Sequence, residues 1–371
     1  LLTDAQRDWK QRAAAFAVEE LAGEPEAGFD RDGWQKCAAF GALALTVPAE
    51  YGGKGASLEE FVAMMEGLGY ATRRLGLLFA LNAQVFGAIE PIRTAGTDDQ
   101  KQRWLPPLAC GEWVAAHGVT EPTGGSDISA LTTEARPHGP DWVLHGAKHC
   151  ITCGAVADFH IVYARTPAGA PGCFVVEPGT PGVTLRSLHP AGLHGCGLGQ
   201  VAFDDVVVPA ANVLGRPEAG AVLFQGAIER ERACIWGFVL GAMERGLELA
   251  VRHANERVVG GQRIASHQAV AHRIAEMKTR LELSRLLVYR ATALKAAGRR
   301  APLEAAMTKL YVSESFLQNA VDLVRTYGGS GFTQEAGVEQ FVRDALGGVL
   351  FSGTNDIQRN IIAAWAGLTP G

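Results

Sequence analysis

The sequence predicts an α+β fold in three consecutive parts, helical, then β, then helical. Two observations carry this: apolar residues recur with helical spacing at both ends of the chain, and between them lie short β-type runs separated by Gly, Pro and Asp clusters. A length of 371 residues exceeds what one hydrophobic core usually organises, so several subdomains are expected. No internal repeat and no low-complexity segment interrupts this plan.

Residues 1–108 read as helical. Thr3 with Gln6, Ser57 with Glu60 and Thr97 with Gln100 form three S/T-x-x-E/Q capping boxes, each able to satisfy two otherwise orphaned N–H groups at a helix start. The glycine-rich stretch AEYGGKGAS, 49–57, breaks this region into helices joined by a loop. Residues 109–215 carry the runs WVLHG, FHIVYART, GCFVVE and QVAFDDVVV, a compact β subdomain with no room for a helix of normal length. Over 216–371 the helical period returns near 219–255, 266–298 and 302–327, followed by two shorter helices. Gly328 stands where a left-handed C-cap would end the third.

Composition narrows the function classes. A net charge of -5 with interspersed signs offers no basic stripe for phosphates, so nucleic acid is not an expected partner. The apolar run Ala233–Met243, read as the longest, is too short to span a bilayer, and the first helix is too polar for a signal peptide. No membrane partner and a cytoplasmic location are therefore expected. The chain opens on Leu1, and a few preceding residues are expected. Seven cysteines are an odd, sparse set, read as free thiols in a reducing compartment. Cys150-x-x-Cys153 lacks two further ligands at tight spacing, so it reads as two ordinary thiols, with no metal.

Three segments carry candidate chemistry. In HGVTEPTGGSDISAL, 117–131, Thr120, Ser126 and the amides of a Gly-rich turn make a polar surface suited to a cofactor's ring edge and phosphates. In RTYGGSGFTQEAGVEQFVRDALGGVLFSGTNDIQRNII, 325–362, Gly328, Gly329 and Gly331 form a bend that lets backbone approach a diphosphate. Thr354 and Asn355 then open the final helix, whose N-terminus attracts anions. In GAIERERACIWGF, Glu231 has Phe224, Ala227, Ile228, Cys234, Ile235 and Phe238 at its i±3, i±4 and i±7 positions, which places a carboxylate on a buried stripe. The helical wheel leaves two readings open, a functional acid with a raised pKa or half of a buried salt bridge. Glu229, beside Gln225 and Arg232, reads as a surface or ion-pair residue.

Together the 117–131 and 325–362 motifs resemble the acyl-CoA dehydrogenases, whose order of parts the whole chain matches. The resemblance implies an N-terminal all-α subdomain, a central β-barrel or sandwich and a C-terminal four-helix bundle. It also implies FAD and the α,β-dehydrogenation of an acyl thioester, with flavin N5 taking the β-hydride. By the same resemblance Thr120 faces the flavin pyrimidine and Ser126 lies near a flavin phosphate or the substrate. Thr152 stands beside the ring in GAKHCITCG, where Cys150 replaces the family's usual Trp. Arg257, Gln268, Gly329 and Thr354 are implied contacts to FAD, Arg257 reaching the diphosphate of a neighbouring subunit. Gly260 replaces an aromatic in RVVGG and Asp356 a common Gln, departures at the adenine end.

The family usually keeps its catalytic glutamate where this chain has Ser352, and an unactivated hydroxyl is no base near neutral pH. Isovaleryl-type members and some carrier-protein relatives instead place that glutamate immediately before an Arg on the helix that here carries Glu231-Arg232. Glu231 is therefore the expected base, with the backbone N–H of Ser352 and a ribityl hydroxyl polarising the thioester oxygen. The resemblance further implies an acyl-CoA or an acyl or aminoacyl carrier protein as substrate, an electron-transfer flavoprotein or oxygen as re-oxidant, and a homotetramer or homodimer. Two alternatives stand beside it: a flavin oxidase or monooxygenase on the same fold, hinted at by Cys150, and a non-catalytic flavoprotein partner.

Overall fold

A computed structural model describes residues 2–368. The first part holds α1 (Asp4–Glu20), α2 (Arg31–Phe40), α3 (Leu58–Ala71), α4 (Leu75–Gln84), α5 (Glu90–Ala95) and α6 (Asp98–Ala109). All three capping boxes form, at α1, α3 and α6. The part is broken between Glu20 and Arg31 as well as at 49–57; there Asp30 caps α2 by accepting from the Gly33 N–H at 2.9 Å.

The helical run long and apolar enough on average to pass for a bilayer span is Leu75–Ala95 rather than the shorter uninterrupted stretch Ala233–Met243: α4 continues through a π-helical turn, Val85–Ile89, into α5. Its 21 residues include an 18-residue window of mean hydropathy 1.5 that passes for a bilayer span on length and composition, yet that window lies almost wholly buried in the protein. Two of its polar members, Gln84 and Glu90, are matched from inside the fold. Gln84 donates to the carbonyls of Leu108 and Trp113 and accepts from the Ala115 N–H at 2.7 Å. Glu90 pairs with Arg93 and Arg230.

The middle part holds β1 (Ala115–Gly118), β2 (Glu134–His138), β3 (Asp141–Ile151), β4 (Phe159–Arg165), β5 (Pro171–Val176), β6 (Val183–Ser187) and β7 (Gly199–Val208). They form one curled seven-stranded sheet in the order β1-β4-β2-β3-β7-β6, with β5 paired to β4. Leu144, Val162, Phe174, Val201 and Phe203 fill a core of their own inside the curl. The β3–β7 register slips between Lys148 and Ile151, where Cys150 takes a left-handed backbone, φ +55°.

The last part holds α7 (Gly220–Cys234), α8 (Gly237–Glu256), a small hairpin of β8 (Val258–Val259) and β9 (Gln262–Arg263), α9 (Gln268–Ala296), α10 (Pro302–Tyr327), α11 (Glu339–Gly348) and α12 (Asn355–Trp365). The helix expected over 219–255 is thus two. Past the break, α8 lies so close on α3 that a Cβ on Gly237 would sit 2.6 Å from the Val62 carbonyl oxygen. The Arg232 carbonyl near the break is satisfied by the Trp236 indole N–H at 2.9 Å. Gly328 has positive φ but ψ −139°, outside the left-handed helical region expected of it. Gly260 and Gly261, φ +59° and +79°, make the two-residue type I′ loop of the β8–β9 hairpin.

Candidate active site

A cleft forms where the three parts meet. One wall is α7, presenting Phe224, Ile228, Glu231 and Arg232; the opposite wall is the turn after β1, with Thr120, Gly125 and Ser126, beside Cys150 and Thr152 at the end of β3. Phe79 of α4 and the 351–353 loop between α11 and α12 close the remaining sides.

The polar wall is held by a buried ion pair. Lys148 Nζ donates to Glu121 at 2.7 Å, both side chains being sealed from solvent. Glu121 also accepts from the N–H groups of Thr132 and Thr133, at 2.6 and 2.9 Å. Burial pushes the Glu121 carboxyl up, but the hydrogen bonds from Lys148, Thr132 and Thr133 outweigh it and hold the group at about 2. The Thr120 carbonyl accepts from the His149 N–H at 2.8 Å, tying the turn to β3. The wall carrying Thr120, Cys150 and Thr152 is therefore a single clamped unit.

On α7, Glu231 is half-buried and turned into the cleft. The Ser352 hydroxyl donates to its Oε1. Among the described residues no cation lies within ion-pair distance of it, so the salt-bridge reading is not met. Arg232 turns aside, its Nε donating to the Ser352 carbonyl at 2.8 Å. Burial holds the Glu231 carboxyl above the ordinary carboxylate range, with the Ser352 hydroxyl and the Arg232 charge pulling it part-way back. Glu229 is not a surface residue. It is buried, pairs with Lys295 and accepts from the Ala301 N–H at 2.7 Å, which meets the ion-pair half of the expectation.

Thr120, Ser126, Thr152, Glu231 and Ser352 are brought together, while Arg257, Gln268 and Gly329 lie outside this cleft. Arg257 caps α8, Gln268 opens α9 just past the hairpin and Gly329 follows α10; all three are exposed. The ends of α8 and α10 meet there through His253 and Tyr327, stacked at 4.0 Å. Thr354 is the N-cap of α12, accepting from the Ile357 N–H. Cys150 is exposed at the cleft wall, and burial pushes the Cys153 thiol up; both are free thiols.

Sequence reasoning missed the cleft's aromatic frame and His117. Phe351 packs between Phe79, at 4.5 Å, and Trp236, at 5.4 Å. His117 lies parallel to Phe224 and edge-on to Tyr163, and burial with the nearby Lys148 charge keeps its imidazole neutral, down at about 4. His117 stood first in the 117–131 motif and Phe351 beside Ser352, but only the tertiary contact gives either a role.

Hydroxyls along one wall and apolar side chains on the others offer what a flavin requires, polar partners for the ring edge and flat apolar contact for its faces. Gly125 supports this fit, since a Cβ there would meet the Thr120 side chain at 2.9 Å and displace the hydroxyl that lines the cleft. Residues 3–112, 116–206 and 218–367 match the N-terminal, middle and C-terminal domains of acyl-CoA dehydrogenase. The chain belongs to the acyl-CoA dehydrogenase family. It is 37% identical to an L-prolyl-[peptidyl-carrier protein] dehydrogenase of Pseudomonas fluorescens over 97% of each chain. It superposes on the prolyl acyl carrier protein oxidase AnaB with a TM-score of 0.96 and 35% identity, over 99% of this chain and 100% of that one. On the FAD complex of PigA the TM-score is 0.94 with 32% identity, over 99% of both. Like other acyl-CoA dehydrogenases, the protein is an FAD-dependent oxidoreductase that dehydrogenates acyl thioesters.

Proposed function

We propose that the substrate is an acyl group held as a carrier-protein thioester, a prolyl or similarly small aminoacyl group first among them, and that Glu231 removes its α-proton. One observation carries the base assignment: Glu231 is a carboxylate in the cleft with no cation paired to it among the described residues, opposite the hydroxyl wall. Its raised pKa favours a base that captures a carbon-bound proton. FAD, when bound, would supply the acceptor for the β-hydrogen as hydride; Glu231 would take the α-proton, and the electron pair of the α C–H bond would become the new C=C bond. Thr120, Ser126 and Thr152 bind and orient the flavin. The Ser352 N–H, which donates to no protein acceptor among the described residues, holds the thioester oxygen. Thr354, Gly329, Gln268 and Arg257 hold the diphosphate and adenine end, Arg257 across a subunit boundary in a homotetramer or homodimer.

The names of the prolyl carrier-protein relatives favour a carrier-linked substrate over a CoA ester. Anaerobic bleaching of the bound flavin against prolyl-carrier protein and a panel of acyl-CoA esters tests this; bleaching by CoA esters alone would reverse it. Glu231→Gln is expected to keep FAD and lose flavin reduction by about 10²–10⁴-fold, the usual range for a positioned base. Near-normal reduction would refute the assignment. Oxygen or an electron-transfer flavoprotein regenerates the cofactor. Cys150, exposed where a Trp would shield the ring, favours oxygen, and rapid aerobic reoxidation of the reduced protein checks it.

A further inference from the structure

Ser352 is held at several points. Its residue takes a left-handed backbone, φ +57°, a conformation that costs a non-glycine residue free energy and persists only where surroundings over-determine it. Arg232 fixes its carbonyl at 2.8 Å. The preceding Phe351 is pinned between Phe79 and Trp236. The following Gly353 has φ +80°, and a Cβ there would lie 2.8 Å from the Arg232 guanidinium. Within this frame the Ser352 hydroxyl has one hydrogen-bond partner among the described residues, Oε1 of Glu231. The adjacent residues Glu231 and Arg232 of α7 thus clasp the hydroxyl and the carbonyl of one residue on the facing loop.

We infer that Ser352 is a positioning residue for Glu231: its hydroxyl donates to Oε1, stops the carboxylate from rotating and leaves Oε2 as the oxygen that meets the substrate's α-carbon. This rests on the reading of Glu231 as base. The position is then not a vacated one. It supplies the thioester oxygen with an N–H and the base with a hydroxyl, so proton acceptor and carbonyl donor are registered to each other through a single residue.

A hydroxyl that donates to a carboxylate stabilises its charged form and so lowers its pKa. The other titratable side chains lining the cleft are Arg232, turned onto the Ser352 carbonyl, the neutral His117, and Cys150. None of them replaces the lost donor. Removing the hydroxyl therefore moves the acidic limb of kcat/KM for the carrier-linked thioester upward by about one pH unit, a roughly tenfold loss of rate below the limb with a smaller change on the alkaline plateau.

Ser352→Ala and Ser352→Gly, each with flavin content measured, test this on the holoenzyme beside Glu231→Gln. Glycine relieves the left-handed strain and alanine keeps it, while both lose the hydroxyl, so both limbs are expected to shift together. If the limb stays in place in both variants while Glu231→Gln is inactive, the positioning role is wrong and the base stands. A shift in the alanine variant alone would assign the effect to backbone strain and also overturn the inference. A Glu231→Gln protein that bleaches at the wild-type rate removes the base reading and this inference with it.

Discussion

Glu121 and Lys148 show how a single buried pair sets up the flavin wall. Neither side chain touches solvent, and together with Thr132 and Thr133 they fix the turn that carries Thr120 against the strand that carries Thr152. Glu121→Gln would leave the Lys148 ammonium buried without its counter-charge, and removal of one partner from such a pair costs about 3–5 kcal/mol. That loss should appear in chemical denaturation near neutral pH, and flavin content should fall with it; a change under about 1 kcal/mol would contradict the role. The pH dependence has a definite sign. Because the folded carboxyl is held at about 2, below the roughly 4.3 of an unfolded glutamate, its contribution is fully present above that unfolded value and is lost as pH falls through about 2. Individual residues were unevenly legible in the sequence. The apolar neighbours of Glu231 at helical spacing exposed its burial, because that signal is local. The Ser352 hydroxyl gave no such signal, since its partner is 121 positions away and its own sequence context is that of an ordinary loop serine.

Among elements, helix starts were the best-marked features. Capping boxes are written within four residues, and Thr3, Ser57 and Thr97 all form them. The division of 219–255 into α7 and α8 was hidden, because no proline stands at Ile235–Trp236 and the apolar pattern runs straight through. The break accompanies a tertiary demand, the close seat of α8 on α3. Gly241 is central to that seat: a Cβ there would stand 2.1 Å from the Glu66 carbonyl oxygen and 2.4 Å from the Tyr70 nitrogen. Both are backbone atoms of α3 and cannot swing aside, so Gly241→Ala must separate the helices. Overpacking costs about 1–3 kcal/mol, and the gain in helix propensity returns up to about 1 kcal/mol, so a net loss is expected. Gly226 on α7 is the control. A Cβ there meets nothing within 4 Å, so Gly226→Ala should be neutral or stabilising by up to about 1 kcal/mol. Equal denaturation midpoints for the two variants would refute the packing account.

At the scale of the whole molecule, the order of helical, β and helical parts was legible because each period is local, whereas the seams between parts were not. The cleft itself is a seam product: Phe79 comes from the first part, Thr120 and Thr152 from the second, Glu231 and Ser352 from the third. Beside the apolar seat of α8 on α3, the first part meets the third at a buried polar cluster centred on Glu66 of α3. Its Oε1 accepts from Lys10 of α1 and Arg285 of α9, each at 2.9 Å, and its Oε2 from the Tyr289 hydroxyl at 2.8 Å. Glu244 of α8 shares the same two cations, at 2.9 and 3.1 Å. Four helices from both ends of the sequence thus converge on one fully buried carboxylate. Glu66→Gln keeps the volume but removes the charge, leaving Lys10 with Glu244, and Arg285 with Glu244 and Glu282. A loss of about 3–5 kcal/mol is expected in denaturation. The double variant Glu66→Gln, Arg285→Met should recover part of it, because the lost buried counter-charge rather than the missing hydrogen bond carries most of the cost. If the double variant is less stable than Glu66→Gln by the full effect of Arg285→Met alone, the two residues act independently, and the junction of the two helical parts must be held by apolar packing instead.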